Sequence, residues 1–173
     1  MRKPVIIALS LLLLVGLAAA QIPTSGNIFV GYSYYNTDLS NISRANANGW
    51  EGTLEGKVLP WVGIIADFSG EYGSEDFPTV SVNVNEHIVL FGPRLSASVG
   101  RWRPFAQAML GVGHVNASAF GADTSFTTAL GVGLDYRLIR AVAWRFQGDY
   151  LHTRFFGTRQ NGARVSTGIV FRF

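Results

Sequence analysis

Histidine and serine are the residues in this sequence that could perform nucleophilic catalysis. The chain has three histidines, His87, His114 and His152, and no cysteine, so a serine would have to act as the nucleophile. Such chemistry needs a nucleophile within hydrogen-bond reach of a base that a third group orients. Ser118 follows His114 by four residues, and Arg154 follows His152 by two. This spacing predicts no catalytic, cofactor-binding or metal site, although a serine on a neighbouring strand remains an alternative partner for His152.

Acidic and basic side chains recur at every second position in several segments. In residues 50–58, Trp50, Leu54 and Val58 alternate with Glu51, Thr53, Glu55 and Lys57. A period of two is typical of a strand with one apolar and one polar face. Acids and bases that share the inside of a barrel can neutralise one another. We predict an interior polar network of Glu51, Glu55, Lys57, Asp67, Glu71, Asp135, Arg137, Arg145, Asp149, Arg164 and Arg172.

The first 20 residues have the pattern of a secretory signal peptide. Arg2 and Lys3 precede an apolar run that ends in the small residues Ala18, Ala19 and Ala20. The run is shorter than the roughly 20 apolar residues of a membrane-spanning helix. We expect cleavage after residue 20, which leaves residues 21–173 as one domain with 12 basic and 11 acidic side chains. This balance argues against a nucleic-acid partner.

The remaining sequence is typical of β structure, because glycine and aromatic residues are abundant and no stretch has a helical period. Turn residues separate eight candidate strands, at residues 27–36, 48–58, 62–73, 86–98, 104–116, 125–137, 142–154 and 163–173. The connections after strands two, four and six are short, whereas those after strands one, three, five and seven are longer and polar. We therefore predict an all-β fold, an eight-stranded antiparallel up-and-down transmembrane β-barrel.

The apolar strand faces could point inward, as in a water-soluble lipocalin, or outward into lipid. Large aromatic residues collect at the strand ends, as they do at membrane interfaces. They are Trp61, Trp102, Tyr136, Trp144 and Phe173 near the short connections, and Tyr34, Trp50, Tyr72, Phe126 and Tyr150 near the long ones. This pattern favours the outward orientation. Because side chains can fill an eight-stranded barrel, we predict a plugged interior rather than an open pore.

The C-terminal stretch RVSTGIVFRF places Ile169, Phe171 and Phe173 on one strand face. This pattern resembles the C-terminal signature of outer-membrane proteins, which the barrel-assembly machinery reads in that family. With the signal peptide and eight strands, the chain resembles the small outer-membrane β-barrel proteins, those similar to the OmpA membrane domain and OmpX. The resemblance implies an outer-membrane location, a monomer without a cofactor, and outer-membrane lipid, lipopolysaccharide and the assembly machinery as partners. The peptidoglycan-binding domain of OmpA-type proteins is not expected here.

A structural or surface-interaction role is the first functional expectation, with two alternatives. One is a lipid A-modifying enzyme, since some barrels of this size act on lipid A acyl chains. In the lipid A deacylase family a serine follows the histidine by two residues, and Arg154 stands there after His152. The other is an adhesin or ligand-binding barrel that acts through its outer loops. The predicted loop 155–161, with Arg154, Arg159 and Arg164 in or near it, could attract lipid A phosphates or acidic polysaccharide.

Overall fold

The structure, a computed structural model, describes residues 25–38, 44–76, 81–117, 121–154 and 160–173. It contains eight strands: β1 (Gly26–Asp38), β2 (Arg44–Leu59), β3 (Val62–Asp76), β4 (Ser81–Ser96), β5 (Trp102–Ala117), β6 (Gly121–Arg137), β7 (Val142–Thr153) and β8 (Gln160–Arg172). Among the residues described, there is no helix long and apolar enough to cross a membrane.

Each strand pairs antiparallel with the next, and β8 pairs with β1, so the sheet closes into a barrel. The closing ladder runs from Asn27 opposite Arg172 to Asp38 opposite Asn161. Beyond it, Gly26 and Phe173 exchange two backbone hydrogen bonds of 2.9 and 3.1 Å. Closure leaves no open sheet edge, which is what a strand structure needs inside a bilayer. The predicted all-β, eight-stranded antiparallel barrel is therefore confirmed.

Three connections are short, as predicted, and they lie at one end of the barrel. Residues 60–61 join β2 to β3, residues 97–101 join β4 to β5, and residues 138–141 join β6 to β7. The second of these contains Gly100 at φ 63°, a left-handed conformation that favours glycine. Val99 and Trp102 close this turn with backbone hydrogen bonds of 2.8 and 3.0 Å.

The strands at the opposite end are longer than the sequence predicts. Residues 44–47, 74–76, 81–85 and 121–124 were expected in loops, and they lie instead in paired strands. The physical reason is that each extension pairs with neighbouring strands, which satisfies its backbone groups even where the side chains are polar. Of the predicted outer loop 155–161, Gln160 and Asn161 belong to β8, and residues 155–159 lie outside the described residues.

Alternate residues of every strand point into the lumen or away from the barrel. In β7, Ala143, Arg145, Gln147 and Asp149 are buried, whereas Trp144, Phe146 and Tyr150 are about half exposed. The exposed large apolar residues occupy the outward rows of all eight strands. A continuous apolar surface around a closed barrel is suited to hydrocarbon rather than to water.

Candidate functional site: the charged interior and the outer rim

One cluster of the interior surrounds Glu55, near the end with the short turns. Lys57 Nζ lies 2.8 Å and Arg103 Nη2 2.9 Å from Glu55 Oε1. On the other side, Arg94 Nη1 lies 3.1 Å from Oε2, and Asn27 donates to the same oxygen at 2.8 Å. A carboxylate with 1 % exposure is thus stabilised by three cations, which offsets the cost of its burial.

A second cluster contains Asp135, which is fully buried. Arg145 donates through Nε and Nη2 to the two carboxylate oxygens, at 2.7 and 3.1 Å. This two-pronged geometry is the strongest arrangement of arginine with a carboxylate. Arg172 Nη2 is the other nearby cation, 3.6 Å from Oδ2 and so beyond hydrogen-bond distance.

A third cluster lies deeper in the barrel, around Arg164. This buried guanidinium lies 3.0 Å from Asp67 Oδ1, 3.0 Å from Asp149 Oδ2 and 3.5 Å from Glu51 Oε2. Gln147 and Ser166 also donate to Glu51. Arg164 therefore connects three carboxylates that come from β2, β3 and β7.

Guanidinium groups and phenyl rings stack across the lumen between these clusters. Arg94 lies over the Phe105 ring at 4.4 Å, and Arg145 lies 4.7 Å from the same ring. Arg145 also lies 5.0 Å from the Phe29 ring. Cation–π contact stabilises arginines that have left water. The stack fills the width of the barrel with large side chains.

Gly131 shows why glycines share the inward rows with these long side chains. A Cβ at this position would overlap Asp149 Oδ1 and contact Gln107 Nε2 at 3.0 Å. Gln107 donates to that same Asp149 oxygen at 2.6 Å. Room for the Asp149 carboxylate therefore depends on the missing side chain of Gly131.

Ten of the eleven residues predicted for the interior network lie in the lumen: Glu51, Glu55, Lys57, Asp67, Glu71, Asp135, Arg145, Asp149, Arg164 and Arg172. The prediction was wrong for Arg137, which lies outside the lumen. It follows the predicted inward row, but it is the end residue of β6, so its side chain leaves the lumen, is exposed, and donates to the Gly100 carbonyl at 3.1 Å. Glu71 accepts a hydrogen bond from Ser33, away from the three clusters.

The predicted network omits several large polar residues that are buried in the lumen: Glu86, Arg94, Arg103, Gln107 and Gln147, of which Gln147 was assigned to the polar strand face but not to the network. Arg94 and Arg103 are buried, and both stand beside short connections that separate two strands. Their positions obey the same period of two as the residues that were predicted. The signal that could have found them is the inward row itself, continued to the ends of β4 and β5.

The ends of the strands away from the short turns carry a second set of polar residues, which point outward. We call this set the outer rim: Tyr32, Tyr34, Asn46, Asn48, Tyr72, Asn85, His87, His114, Asn116, Thr124, His152 and Asn161. Tyr34 donates to Asn46 at 2.8 Å, and Tyr32 donates to Asn48. Tyr72 packs edge-on against His87 with ring centroids 5.9 Å apart. The outer rim thus combines aromatic rings with exposed amides and imidazoles.

Two histidines of the outer rim, His152 and His114, each lie beside a polar side chain of a neighbouring strand. His152 Nδ1 lies 2.7 Å from Asn161 Oδ1, and its positions opposite on β6 and β8 are Thr128 and Asn161. His114 Nδ1 lies 2.8 Å from Thr124. Within the described ranges, no group of three or more histidine, aspartate or glutamate side chains is arranged so that it could hold a metal ion.

The predicted assembly residues Ile169, Phe171 and Phe173 all point outward from the barrel, with 37 %, 51 % and 61 % exposure. Ile169 and Phe171 lie in β8, opposite Val30 and Ile28 of β1. Trp61, Trp102 and Trp144 near the short turns are also exposed, and the ring centroids of Trp102 and Tyr136 lie 4.6 Å apart. Apolar and aromatic side chains therefore form an outward-facing belt that ends near the short turns, as at a membrane–water interface.

A closed barrel of eight strands with an apolar exterior, aromatic ends and a charged interior defines an integral membrane β-barrel. The sequence matches the model of the family described as outer membrane protein beta-barrel domain over residues 6–173. The chain belongs to this family, and the protein is an outer-membrane protein of the OmpA and OmpX type.

Solved structures of several outer-membrane barrels are similar to this one. Ail, the attachment invasion locus protein of Yersinia pestis, is 17 % identical with a TM-score of 0.64, covering 86 % of this chain and 98 % of its own. Neisserial surface protein A is 12 % identical with a TM-score of 0.71, covering 86 % and 97 %. OprG from Pseudomonas aeruginosa is 11 % identical with a TM-score of 0.62, covering 86 % and 95 %. At these identities the likeness shows the fold. No curated protein matches the sequence.

Proposed function

We propose that this protein is a closed outer-membrane barrel that acts through its outer rim, in a structural or surface-interaction role, and not as a channel or an enzyme. The observation that carries the proposal is the filled interior. Arg94, Arg145 and Arg164 are the largest fully buried side chains, and each is held by carboxylates or aromatic rings. A lumen filled by paired charges leaves no room for an open channel, so we place the surface-interaction role on the outward-facing residues of the outer rim.

The partner that fits the outer rim is the head-group region of the outer leaflet, lipopolysaccharide in an outer membrane. Tyrosine rings can lie against apolar chains while their hydroxyl groups face the polar layer. The rim hydroxyls and amides, such as those of Tyr34 and Asn46, can bond to sugar and phosphate oxygens. A lipid A-modifying activity has less support, because Thr128 and Asn161 occupy the positions beside His152.

Biogenesis follows from the same proposal. Residues 1–20 direct export and are removed, and the outward row Ile169, Phe171 and Phe173 is read by the barrel-assembly machinery. The barrel then works as a monomer, because ladder closure between β1 and β8 already satisfies its sheet edges. An adhesin would use the same outer rim, but it would bind a surface ligand other than the lipopolysaccharide of its own membrane.

The proposal predicts that Tyr34→Ala weakens binding of the purified barrel to lipopolysaccharide by several-fold, because the rim loses a ring and a hydroxyl group. Tyr136→Ala is the matched control, since Tyr136 is an outward tyrosine at the opposite interface. Binding is measured by titrating lipopolysaccharide into barrels in nanodiscs, with planar-bilayer recording on the same preparation. Equal losses in both variants, or a large stable conductance from the unmodified protein, would contradict the proposal.

A further inference from the structure

We propose that the periplasmic mouth of the barrel, formed by Arg103, Arg145 and Arg172, is a binding site for a phosphate-class oxyanion. The mouth is the lumen opening at the end with the short turns, which face the periplasm in outer-membrane barrels. This site is separate from the outer rim and does not rest on the function proposed for it.

Charge is distributed very unevenly along the barrel. The periplasmic half carries eight basic residues and two acidic ones: Lys57, Arg94, Arg101, Arg103, Arg137, Arg140, Arg145 and Arg172 against Glu55 and Asp135. Farther from the short turns, the buried charges of the lumen are mainly acidic: Glu51, Asp67, Glu71, Glu86 and Asp149 against Arg164. Although the net charge of the whole chain is small, basic residues are concentrated at the periplasmic mouth, and their positive field attracts anions.

The carboxylates at this end already have arginine partners. Both oxygens of Asp135 accept hydrogen bonds from Arg145, and Glu55 accepts from Asn27, Arg94 and Arg103. Ser96 Oγ accepts from Lys57 and Arg103, at 2.8 and 2.9 Å. Arg172 Nη2 lies 3.6 Å from Asp135 Oδ2, which is beyond hydrogen-bond distance.

Three guanidinium nitrogens at the mouth are buried without a hydrogen-bond acceptor among the described residues: Arg145 Nη1, Arg172 Nε and Arg172 Nη2. Arg145 itself is only 1 % exposed. Buried donors of this kind are rare in folded proteins, because an unmade hydrogen bond to a charged group is costly. An oxyanion in the mouth would supply the missing acceptors and neutralise part of the excess charge.

Arg172 is the most exposed arginine of this group, with 20 % of its side chain exposed, whereas Arg103 is 9 % exposed. Arg145 is buried against the Phe29 and Phe105 rings. We call the group of Arg103, Arg145 and Arg172 the cup. A small, multiply charged anion suits this cluster of cations, and Arg172 would be its first contact.

Phosphate is the chemical class that this cup favours. The planar guanidinium presents paired donors that match phosphate oxygens, and phosphate offers more acceptors and charge than a carboxylate. The phosphate can belong to a phospholipid head group of the periplasmic leaflet or to a soluble phosphate compound, and the chemistry of recognition is the same.

The test titrates inorganic phosphate into barrel refolded in an uncharged detergent, with ionic strength held constant by chloride. Binding is read from the phosphorus NMR line and from the thermal unfolding midpoint. We expect saturable binding by the unmodified protein and a loss of affinity of about tenfold or more in Arg172→Gln. Arg172→Lys should fall between the two, because it keeps the charge and loses the planar fork.

Arg44→Gln is the matched control, since it removes an arginine at the outer end of β2, opposite the periplasmic mouth, and should leave phosphate affinity unchanged. Folding of each variant is checked by heat-modifiable gel mobility, and Arg172→Lys decides the matter if Arg172→Gln does not fold. Equal affinity in the unmodified protein and the tested Arg172 variant, or no binding beyond the chloride effect, would overturn the proposal.

Nanodiscs then distinguish the two sources of phosphate. Phosphatidylglycerol has an anionic head group, whereas the phosphate of phosphatidylcholine is neutralised by its own choline cation. If a head group fills the cup, phosphatidylglycerol discs therefore raise the unfolding midpoint over phosphatidylcholine discs, and added inorganic phosphate gives no further rise in them. If a soluble phosphate fills it, inorganic phosphate raises the midpoint equally in both kinds of disc. Either rise must be lost in Arg172→Gln, and a rise that the variant retains counts against the site.

Discussion

Replacement of Arg164 by methionine is expected to lower the free energy of unfolding by about 3–5 kcal/mol, the usual cost of removing one partner from a buried charge cluster. Arg164 is fully buried, and it is the cation nearest to Asp67, Glu51 and Asp149. Methionine fills much of the same volume, so the loss reports charge rather than a cavity. Urea unfolding of the barrel in lipid vesicles, followed by tryptophan fluorescence, measures the change.

Arg154→Met is the control for this experiment, because Arg154 is exposed and its loss should change stability by less than about 0.5 kcal/mol. A double variant adds a second check. Asp67→Asn should recover part of the stability lost in Arg164→Met, since it removes one of the uncompensated carboxylates. Equal effects of Arg164→Met and Arg154→Met would show that the central cluster does not stabilise the barrel.

Replacement of Leu130 by arginine is expected to destabilise the barrel by about 2–4 kcal/mol in a bilayer, the cost of a cation near the membrane midplane. Leu130 is 65 % exposed and lies in the middle of the outward apolar row of β6, between Phe126 and Tyr136. The same urea unfolding assay in vesicles measures the loss.

Leu138→Arg is the matched control for the lipid face. Leu138 is 49 % exposed in the short turn after β6, where an arginine meets water and head groups. Its replacement should cost about 0–1 kcal/mol, as near the membrane interface. If both substitutions cost the same, the row that contains Leu130 does not face hydrocarbon.

The faces of the strands could be predicted because they follow from local alternation alone. In β7 the order Trp144, Arg145, Phe146 and Gln147 assigns each residue to a side once the strand is recognised, and the structure agrees. The strand count and the position of the short turns also came from local signals, Pro60 and Gly100 among them. These features need no knowledge of which strands meet.

The partners inside the lumen could not be predicted, because they depend on register and closure. Gln147 donates to Glu51, 96 residues away, and Arg164 Nη2 donates to Asp67, 97 residues away. Such contacts exist only after the barrel has closed. The outer extensions of the strands could not be predicted for the same reason, since polar residues such as Arg44 and Asn46 pair through their backbones with β1. Local propensity does not contain that information.

The orientation of the outward rows is the central claim, and nitroxide spin labels test it most directly. Labels at Leu130, Phe146 and Ile169 report the outward rows, and labels at Ala129 and Leu151 report the inward rows. In bilayers we predict that dissolved oxygen, which concentrates in hydrocarbon, relaxes the outward labels strongly, while a water-soluble nickel chelate barely affects them. Outward labels that are shielded from oxygen, or reached mainly by the nickel chelate, would contradict a lipid-facing exterior.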